Sequence, residues 1–220
     1  LLAADYSQID LRVLAHLSKD AVLCEAFRSG GDVHQRTASE VFQVPAEAVD
    51  KEMRRRAKAV NFGIVYGQNA HGLAQTLGIG FGEARDFIKA YKARYSGVAQ
   101  WLVENLEEAR KNSAVSTLLG RVRRLPDLHA KNFNVRGFNE RVAGNTPIQG
   151  TSADIIKAAM INIQKKLLAS GDWKARMVLQ VHDELVFELP KAELAGFARA
   201  ARAEMEGAVK LDVPLVVDCK

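Results

Sequence analysis

Two acidic segments near opposite ends of the chain have the side chains that hard divalent cations prefer. Asp5 ends a short apolar segment and is followed at once by a helical pattern, whereas Asp183 and Glu184 lie inside the apolar segment 178–187. Carboxylates at strand ends are common oxygen ligands for cations. Taken alone, Asp5 is explained more simply as a helix N-cap. The pair Asp183-Glu184 fits a turn and a metal site equally well, because an unpaired charge against an apolar core is costly.

A third feature is a helix that carries two cations and two aromatic rings on one face. Arg54, Lys58, Phe62 and Tyr66 recur every four residues. A helix turns about 100° per residue, so a spacing of four advances only about 40° per step and keeps all four side chains on one stripe. Such a stripe suits a ligand with a phosphate tail and a flat ring. A solvated basic turn leading into a buried aromatic seam explains the spacing equally well.

Taken together, these features predict metal-assisted phosphoryl or nucleotidyl chemistry. Two cations about 3.5–4 Å apart would activate an attacking hydroxyl and stabilise the leaving oxygen. Mg²⁺ is the expected ion, because the candidate ligands are oxygens and no Cys/His cluster lies near them in the sequence.

The surrounding pattern predicts an α+β fold in which strands at both ends position a helical middle. The first part is expected to hold a strand to Asp5, a helix in which Leu11, Val13, Leu14 and Leu17 recur at helical spacing and, after Gly30-Gly31, a helix over 34–42. Helices are predicted over 51–66, 70–77, 82–94 and 98–112, with a left-handed cap at Gly67. A hairpin over 115–126, an irregular connection over 127–138 and a helix over 149–170 follow. The last part is predicted to hold two strands joined at residues 182–184, a helix over 192–208 and a strand over 213–217.

Composition narrows the class of protein and its partners. The chain has 220 residues, 48% of them hydrophobic and 26% charged, which is typical of a soluble globular protein. Cys24 and Cys219 suggest neither a disulfide framework nor a zinc site, and no apolar run is long enough for a membrane span. Residues 44–132 hold 15 Lys and Arg against 9 Asp and Glu, so the middle is cationic. Lys and Arg side chains that simply solvate helices explain this count, whereas a polyanionic partner is the more specific interpretation.

Three sequence motifs, in their order and spacing, resemble motifs A, B and C of family A DNA polymerases. They are Asp5-Tyr6-Ser7-Gln8-Ile9-Asp10-Leu11-Arg12, the Arg54-x₃-Lys58-x₃-Phe62-x₃-Tyr66-Gly67 helix, and Gln180-Val181-His182-Asp183-Glu184. The resemblance continues through residues 30–34, 120–126 and 141–150, and so covers nearly the whole chain.

The resemblance implies roles for fifteen residues. It implies that the metal ligands are Asp5, Tyr6 through its backbone carbonyl, Asp183 and Glu184. The residues implied to bind the nucleotide are Arg54, Lys58, Phe62, Tyr66, His34, Gln8 and Asp10. Those implied to contact DNA are Arg141, Asn145, Gln149 and His182. Asp5, Asp183 and Lys58 are the implied catalytic residues, with Lys58 protonating the leaving pyrophosphate.

The resemblance also implies an organisation and a set of partners. A palm would comprise residues 1–43 and 139–220, with an inserted helical fingers subdomain over residues 44–138. The thumb and exonuclease domains of relatives are expected to be absent from this chain. A fragment of a longer polymerase is the favoured interpretation, and a shortened protein that has lost processive synthesis is the alternative. The implied activity is template-directed DNA synthesis with two Mg²⁺ ions, and the implied partners are primer-template DNA and dNTPs. A cytoplasmic monomer without membrane association is expected.

One position departs from the family pattern, because the family usually has Glu where this chain has Asp10. In relatives that side chain blocks a ribose 2′-hydroxyl, so a carboxylate one methylene shorter predicts weaker exclusion of ribonucleotides. A small backbone shift that restores the same contact is the equally weighted alternative.

Two other functions compete with DNA synthesis. A non-catalytic nucleic-acid-binding remnant would have no reason to retain Asp5, Asp183, Lys58 and Arg54 together, and all four are present. A metal-dependent phosphohydrolase is less favoured, since hydrolysis does not need a helix that stacks bases.

Overall fold

A computed structural model describes residues 1–220 and confirms the α+β class. The strands are β1 (Leu2–Tyr6), β2 (Ala114–Ser116), β3 (Val122–Arg124), β4 (Arg176–Val181), β5 (Glu184–Glu188) and β6 (Val217–Cys219). The helices are α1 (Ile9–Ser18), α2 (Ala21–Arg28), α3 (Val33–Phe42), α4 (Lys51–Val65), α5 (Ala70–Leu77), α6 (Phe81–Arg94), α7 (Ser96–Asn112), α8 (Phe133–Ile163) and α9 (Leu194–Glu206). Four strands form an antiparallel sheet in the order β4-β5-β1-β6, and β2 and β3 form a separate hairpin.

Strand β1 is central to the sheet and separates the core from the candidate site. Leu2, Ala4 and Tyr6 are buried, whereas Ala3 and Asp5 alternate with them and are partly exposed. Successive side chains of a strand point to opposite faces. The buried face packs on the core, and the opposite face carries Asp5.

The first part of the chain holds three helices rather than the two that the sequence predicted. Helix α2 was missed because residues 11–28 read as one helical stretch up to Gly30-Gly31. The break comes at Lys19, which has a left-handed backbone with φ +53°, and at Asp20, whose side chain accepts a hydrogen bond from Leu23 N at 2.9 Å. An aspartate that caps the next helix is the sequence signal for this boundary.

The helical middle is confirmed. Asp50 caps α4 by accepting a hydrogen bond from Met53 N at 2.7 Å, and the chain leaves α4 through Gly67 at φ +66°. A methyl group on Gly67 would lie 3.3 Å from Cγ of Arg141, so a side chain there would be both strained and crowded. The predicted hairpin is also confirmed, by β2 and β3.

Helix α8 corrects two predictions, since it begins at Phe133 rather than at 149 and includes part of the segment expected to be irregular. Asn132 caps it by accepting hydrogen bonds from the backbone N–H groups of residues 134 and 135. Pro147 lies inside this helix and cannot donate to the carbonyl of Ala143. The side chain of Asn105 donates to that carbonyl at 3.0 Å and so replaces the hydrogen bond that the proline cannot make.

The last part confirms the paired strands β4 and β5 and the helix α9, but places the final strand differently. Strand β6 spans Val217–Cys219 instead of residues 213–217. Val213 and Leu215 are buried and alternate as a strand would, yet they pack on the core without strand pairing.

One hydrophobic core of 37 buried residues includes side chains from residues 1–43, 44–138 and 139–220. A second cluster of five residues lies under the β2–β3 hairpin. Cys24 is free and buried, and Cys219 is free and partly buried. None of the helices combines the length and apolar character that crossing a membrane requires. The division into palm and fingers remains a prediction.

Candidate functional site

A cleft of 760 Å³ lies between the sheet, the beginning of α1 and helices α3, α4 and α8. Twelve of the fifteen predicted site residues line this cleft. They are Asp5, Tyr6, Gln8, Asp10, His34, Arg54, Lys58, Phe62, Tyr66, Gln149, His182 and Asp183. Residues that are far apart in the sequence therefore meet on one surface.

Carboxylates form a row across three strands on the cleft side of the sheet. Asp5 is paired with Glu184 of β5 and with Asp218 of β6. Directly opposite residues of antiparallel strands have their side chains on the same face. Sequence reasoning missed Asp218, which also lines the cleft, because the final strand was placed too early.

The N-cap explanation of Asp5 is wrong, because Gln8 occupies the N-cap position of α1 and Asp5 lies within β1. Tyr6 directs its side chain into the core, where its hydroxyl donates to the carbonyl of Met205 at 2.6 Å. Only the backbone of Tyr6 is therefore available to a ligand in the cleft.

Asp183 lies in the two-residue turn that joins β4 to β5. Its backbone carbonyl accepts a hydrogen bond from Tyr6 N at 3.2 Å, which fixes the turn beside β1. Burial raises the pKa of the Asp183 carboxyl above its usual value; a hydrogen bond from its own backbone opposes this shift, and the negative charges of Asp5 and Asp10 add to it. The turn that the sequence left as one alternative is confirmed, and the carboxylates are close enough to repel one another.

Two residues that line the cleft have unusual backbone conformations. Gln8 has φ +56° and His182 has φ +53°, in the left-handed region that side chains other than glycine rarely adopt. Such conformations are retained where the surrounding structure enforces them, and they concentrate at functional sites.

The stripe along α4 is confirmed as one surface. Lys58 Nζ lies 5.9 Å from the ring centroid of Phe62, which stacks at 6.0 Å and 22° on Tyr66. Tyr66 is 38% exposed, so the rings line the cleft rather than forming a buried seam. Lys58 makes no ion pair within the chain, and its charge is therefore available to a ligand.

Asp32 organises the cationic end of the stripe. Its Oδ2 accepts a hydrogen bond from Arg54 Nε at 2.7 Å, while Oδ1 caps α3 by accepting from the backbone N–H of His34 at 2.9 Å and that of Gln35 at 3.1 Å. Burial alone would raise the pKa of Asp32, but the hydrogen bonds from Arg54 and Gln35 lower it below its usual range. Sequence reasoning did not assign Asp32, although an acidic residue just before a helix that carries a site histidine signals a cap.

His34 is buried in the first turn of α3, at the side of the cleft. Burial lowers the pKa of its imidazole to about 4, and the positive charges of Arg54 and Lys58 act in the same direction against the opposing effect of Asp32. The imidazole is therefore neutral near pH 7. A helix N-terminus with nearby cations is a suitable place for phosphate groups.

Asp10 connects three helices at the base of the cleft. Its Oδ1 accepts a hydrogen bond from Ser152 Oγ of α8 at 2.6 Å, and its Oδ2 accepts one from the Tyr66 hydroxyl at 3.1 Å. Burial, followed by the negative charge of Asp10, raises the pKa of Tyr66 to about 12. Ser152 was not found from the sequence, since nothing in its local pattern shows that it faces Asp10.

Three predicted residues lie outside the cleft. Glu184 is on the sheet beside Asp5, whereas Arg141 and Asn145 lie behind the end of α4. There the side-chain amide of Asn145 donates to the carbonyl of Val65 at 2.9 Å and to that of Arg141 at 3.2 Å. Gln149 lines both the cleft and an adjoining basic groove that contains Arg121 and Arg123. The structure therefore separates Gln149 from Arg141 and Asn145, although all three are on α8.

Comparisons with known proteins agree with this arrangement. The family model described as DNA polymerase family A matches residues 1–220. The chain is 53% identical over 218 residues to DNA polymerase I of Geobacillus stearothermophilus, covering 99% of this chain and 25% of that protein. It is 50% identical over 218 residues to the thermostable DNA polymerase I of Thermus aquaticus, covering 99% of this chain and 26% of that protein.

A solved structure, described as the POL domain of Pol1 from M. smegmatis in complex with DNA primer-template and dNTP, superimposes with a TM-score of 0.94 at 47% identity. The match covers 99% of this chain and 38% of that one. The chain thus spans about a quarter of the length of the DNA polymerases I that it matches. The motifs, the cleft and the match over all 220 residues lead to one conclusion: the chain belongs to DNA polymerase family A.

Proposed function

We propose that this chain carries the nucleotidyl-transfer centre of a template-directed DNA polymerase, which joins a dNTP to a primer 3′-hydroxyl. One observation carries the proposal: Asp5 and Asp183 line the same cleft as the cationic and aromatic stripe of α4. A phosphohydrolase would need the carboxylates and cations but not the two rings. The similarity to a polymerase domain whose structure holds primer-template and dNTP supports the same choice.

The carboxylates of the cleft fit Mg²⁺. No group of three or more His, Cys, Asp or Glu side chains forms a ready-made metal cage in the chain. Mg²⁺ does not need one, because it is commonly held by one or two carboxylates together with water and substrate phosphates. Asp5, Asp183 and the backbone carbonyl of Tyr6 would hold two ions, with Glu184 as an auxiliary acid. Mg²⁺ bound there would activate the primer hydroxyl and neutralise charge on the leaving group.

The cations at the entrance of the cleft would bind the triphosphate. Arg54 is held in place by Asp32, and His34 lies at the N-terminus of α3. Lys58 has no carboxylate partner, so it is the side chain best placed to protonate the leaving pyrophosphate. Arg54 and Lys58 of α4 and His34 of α3 would thus bind the triphosphate together, and Lys58 would also donate the proton.

The base and sugar would occupy the inner part of the cleft. Phe62 would stack on the incoming base or sugar, and Tyr66 would lie beside the templating base. Gln8 and Asp10 would border the sugar, where the hydrogen bonds of Asp10 to Tyr66 and Ser152 fix its carboxylate.

The duplex would be bound by residues at the rim of the cleft and on α8. His182 would contact the primer terminus, and Gln149 would check the minor groove of the nascent pair. Arg141 and Asn145 are assigned to the same groove by the family pattern. Minor-groove acceptors are nearly the same for every correct pair, so these donors would test shape without reading sequence. Binding by a largely cationic surface should weaken strongly as salt rises. We propose that the chain acts as a monomer.

The test is single-nucleotide extension of a primed template with Mg²⁺ by the wild type and by Lys58→Ala. Loss of a general acid is expected to slow insertion by about 10²- to 10⁴-fold. Lys89→Ala is the matched control, because Lys89 is exposed on α6 and makes no ion pair. Equal insertion rates for the two variants would contradict the assignment of Lys58.

A further inference from the structure

A buried polar network connects the candidate phosphate site to the interior of the helical region. It joins His34 and Thr37 of α3, Asn61 of α4, and Tyr95 at the junction of α6 and α7. All four residues are at most 2% exposed. The Asn61 amide Nδ2 lies 2.9 Å from His34 Nδ1, the Thr37 hydroxyl donates to Asn61 Oδ1 at 3.1 Å, and the Thr37 and Tyr95 hydroxyls are 3.0 Å apart.

The direction of these hydrogen bonds follows from the number of protons available. The Tyr95 hydroxyl has no hydrogen-bond partner other than Thr37. Tyr95 must therefore donate its proton to Thr37, because a buried hydroxyl proton without an acceptor is costly. Thr37 has a single hydroxyl proton and gives it to Asn61 Oδ1, which turns the amide NH₂ of Asn61 toward His34. The opposite direction would leave the Tyr95 proton unpaired.

The tautomer of His34 follows from the same chain of donors. Nδ1 accepts the hydrogen bond from Asn61 and so carries no proton. In a neutral imidazole the other nitrogen then holds the hydrogen. His34 makes no hydrogen bond through Nε2 within the chain, and the residue lines the cleft.

We propose that Asn61 is a positioning residue that fixes His34 as the neutral Nε2–H tautomer, so that this histidine presents a hydrogen-bond donor, rather than a positive charge, to the nucleotide phosphates. The identity of the ligand rests on the function proposed above, whereas the tautomer does not depend on it. Arg54 and Lys58 then supply the charge, and His34 supplies a donor of fixed direction. The low pKa of His34 agrees with a neutral ring beside these two cations and Asp32.

The tautomer can be read directly by two-bond ¹H–¹⁵N NMR of the chain labelled at histidine nitrogens. Loss of the signal in His34→Gln assigns the resonance among the five histidines. The expected spectrum shows an unprotonated Nδ1 and a protonated Nε2 at neutral pH. A protonated Nδ1, or a doubly protonated ring, would overturn the proposal, and this measurement needs no substitution at Asn61.

Asn61→Asp tests the cause. The substitution keeps the shape but replaces the donating NH₂ by an accepting oxygen, so His34 should become protonated at Nδ1 and its pKa should rise above about 4. Asn134→Asp, which adds the same charge at an exposed position of α8, should leave the His34 spectrum unchanged. A folded Asn61→Asp protein that retains the wild-type tautomer would refute the positioning role.

Titration with a dNTP separates this inference from the proposed function. The Nε2–H resonance of the wild type should shift on binding while Nδ1 remains unprotonated. If dNTP binds but leaves the Nε2–H resonance unchanged, the contact between His34 and phosphate is wrong even where the tautomer is confirmed. If no dNTP binds at all, it is the proposed function that fails.

Discussion

Lengthening the side chain at position 10 should increase the selectivity for deoxyribonucleotides over ribonucleotides. Asp10 is held at both oxygens, by Ser152 at 2.6 Å and by Tyr66 at 3.1 Å, so its carboxylate has a defined position at the base of the cleft. Asp10→Glu adds one methylene, which extends the reach of the carboxylate by about 1.5 Å toward the space proposed for the sugar. A ribose 2′-hydroxyl would then meet the longer side chain.

The size of the effect follows from the difference of one methylene. Discrimination by one such group is worth about 1–3 kcal/mol, or about 10- to 200-fold. The selectivity for dATP over ATP, taken as the ratio of their kcat/KM values for single-nucleotide insertion, should therefore rise at least about 10-fold in Asp10→Glu. Isothermal titration of dATP and of ATP gives a second readout that does not depend on chemistry.

The control keeps the length of the side chain and removes one of its restraints. Ser152→Ala deletes the hydrogen bond to Asp10 Oδ1 and should change sugar selectivity much less than Asp10→Glu does. Unchanged selectivity in Asp10→Glu would refute the claim that the shorter side chain weakens the exclusion of ribonucleotides. The alternative that the backbone already compensates for the shorter residue would then be favoured.

Two further predictions concern stability. Asp154 is 5% exposed and accepts hydrogen bonds from Thr117 at 2.7 Å and from Arg121 Nε at 2.8 Å, so Asp154→Ala should lower the free energy of unfolding in urea by about 2–3 kcal/mol at pH 7, as expected for loss of charge-assisted hydrogen bonds. Burial alone would raise the pKa of Asp154, but the hydrogen bonds from Thr117 and Arg121 outweigh it, so the pKa lies below its usual value. The difference in unfolding free energy between wild type and variant should therefore shrink as the pH falls below about 4. A difference that did not change with pH would count against this explanation. Asp183 has the opposite shift, because burial and the charge of Asp5 raise its pKa, and the folded state loses stability as the pH rises and this carboxyl ionises. Asp183→Asn should therefore melt at a higher temperature than the wild type without Mg²⁺ at pH 7, and Mg²⁺ should raise the melting temperature of the wild type more than that of the variant; equal shifts with Mg²⁺ would speak against a metal at Asp183.

Much of the fold was predictable because local signals and packing agree. The α4 stripe depends only on helix geometry, and Gly67 marks the end of that helix by its left-handed backbone. Helix α8 was harder, since Pro147 is a sound reason to start a new helix there. The long-range hydrogen bond from Asn105 satisfies the Ala143 carbonyl that the proline leaves without its helical donor, and no local pattern reveals this bond.

In the candidate site, too, some residues could be identified from the local sequence, whereas others are brought there only by folding. Asp5 and Asp183 could be singled out because charged residues within apolar strands need an explanation. The partners that hold site residues in place, such as Ser152 for Asp10 and Asn61 for His34, lie on other helices. Their roles depend on which faces meet after folding, and a single sequence does not show this.

The most direct test of the account is single-nucleotide extension of a primed template at low salt with Mg²⁺, comparing the wild type with Asp183→Asn. Asp172→Asn, at an exposed loop position, is the matched control. We expect extension by the wild type and by the control, and loss of extension in Asp183→Asn with primer-template still bound. Extension by Asp183→Asn at the wild-type rate, or by none of the three proteins although primer-template and dNTP are bound, would contradict it.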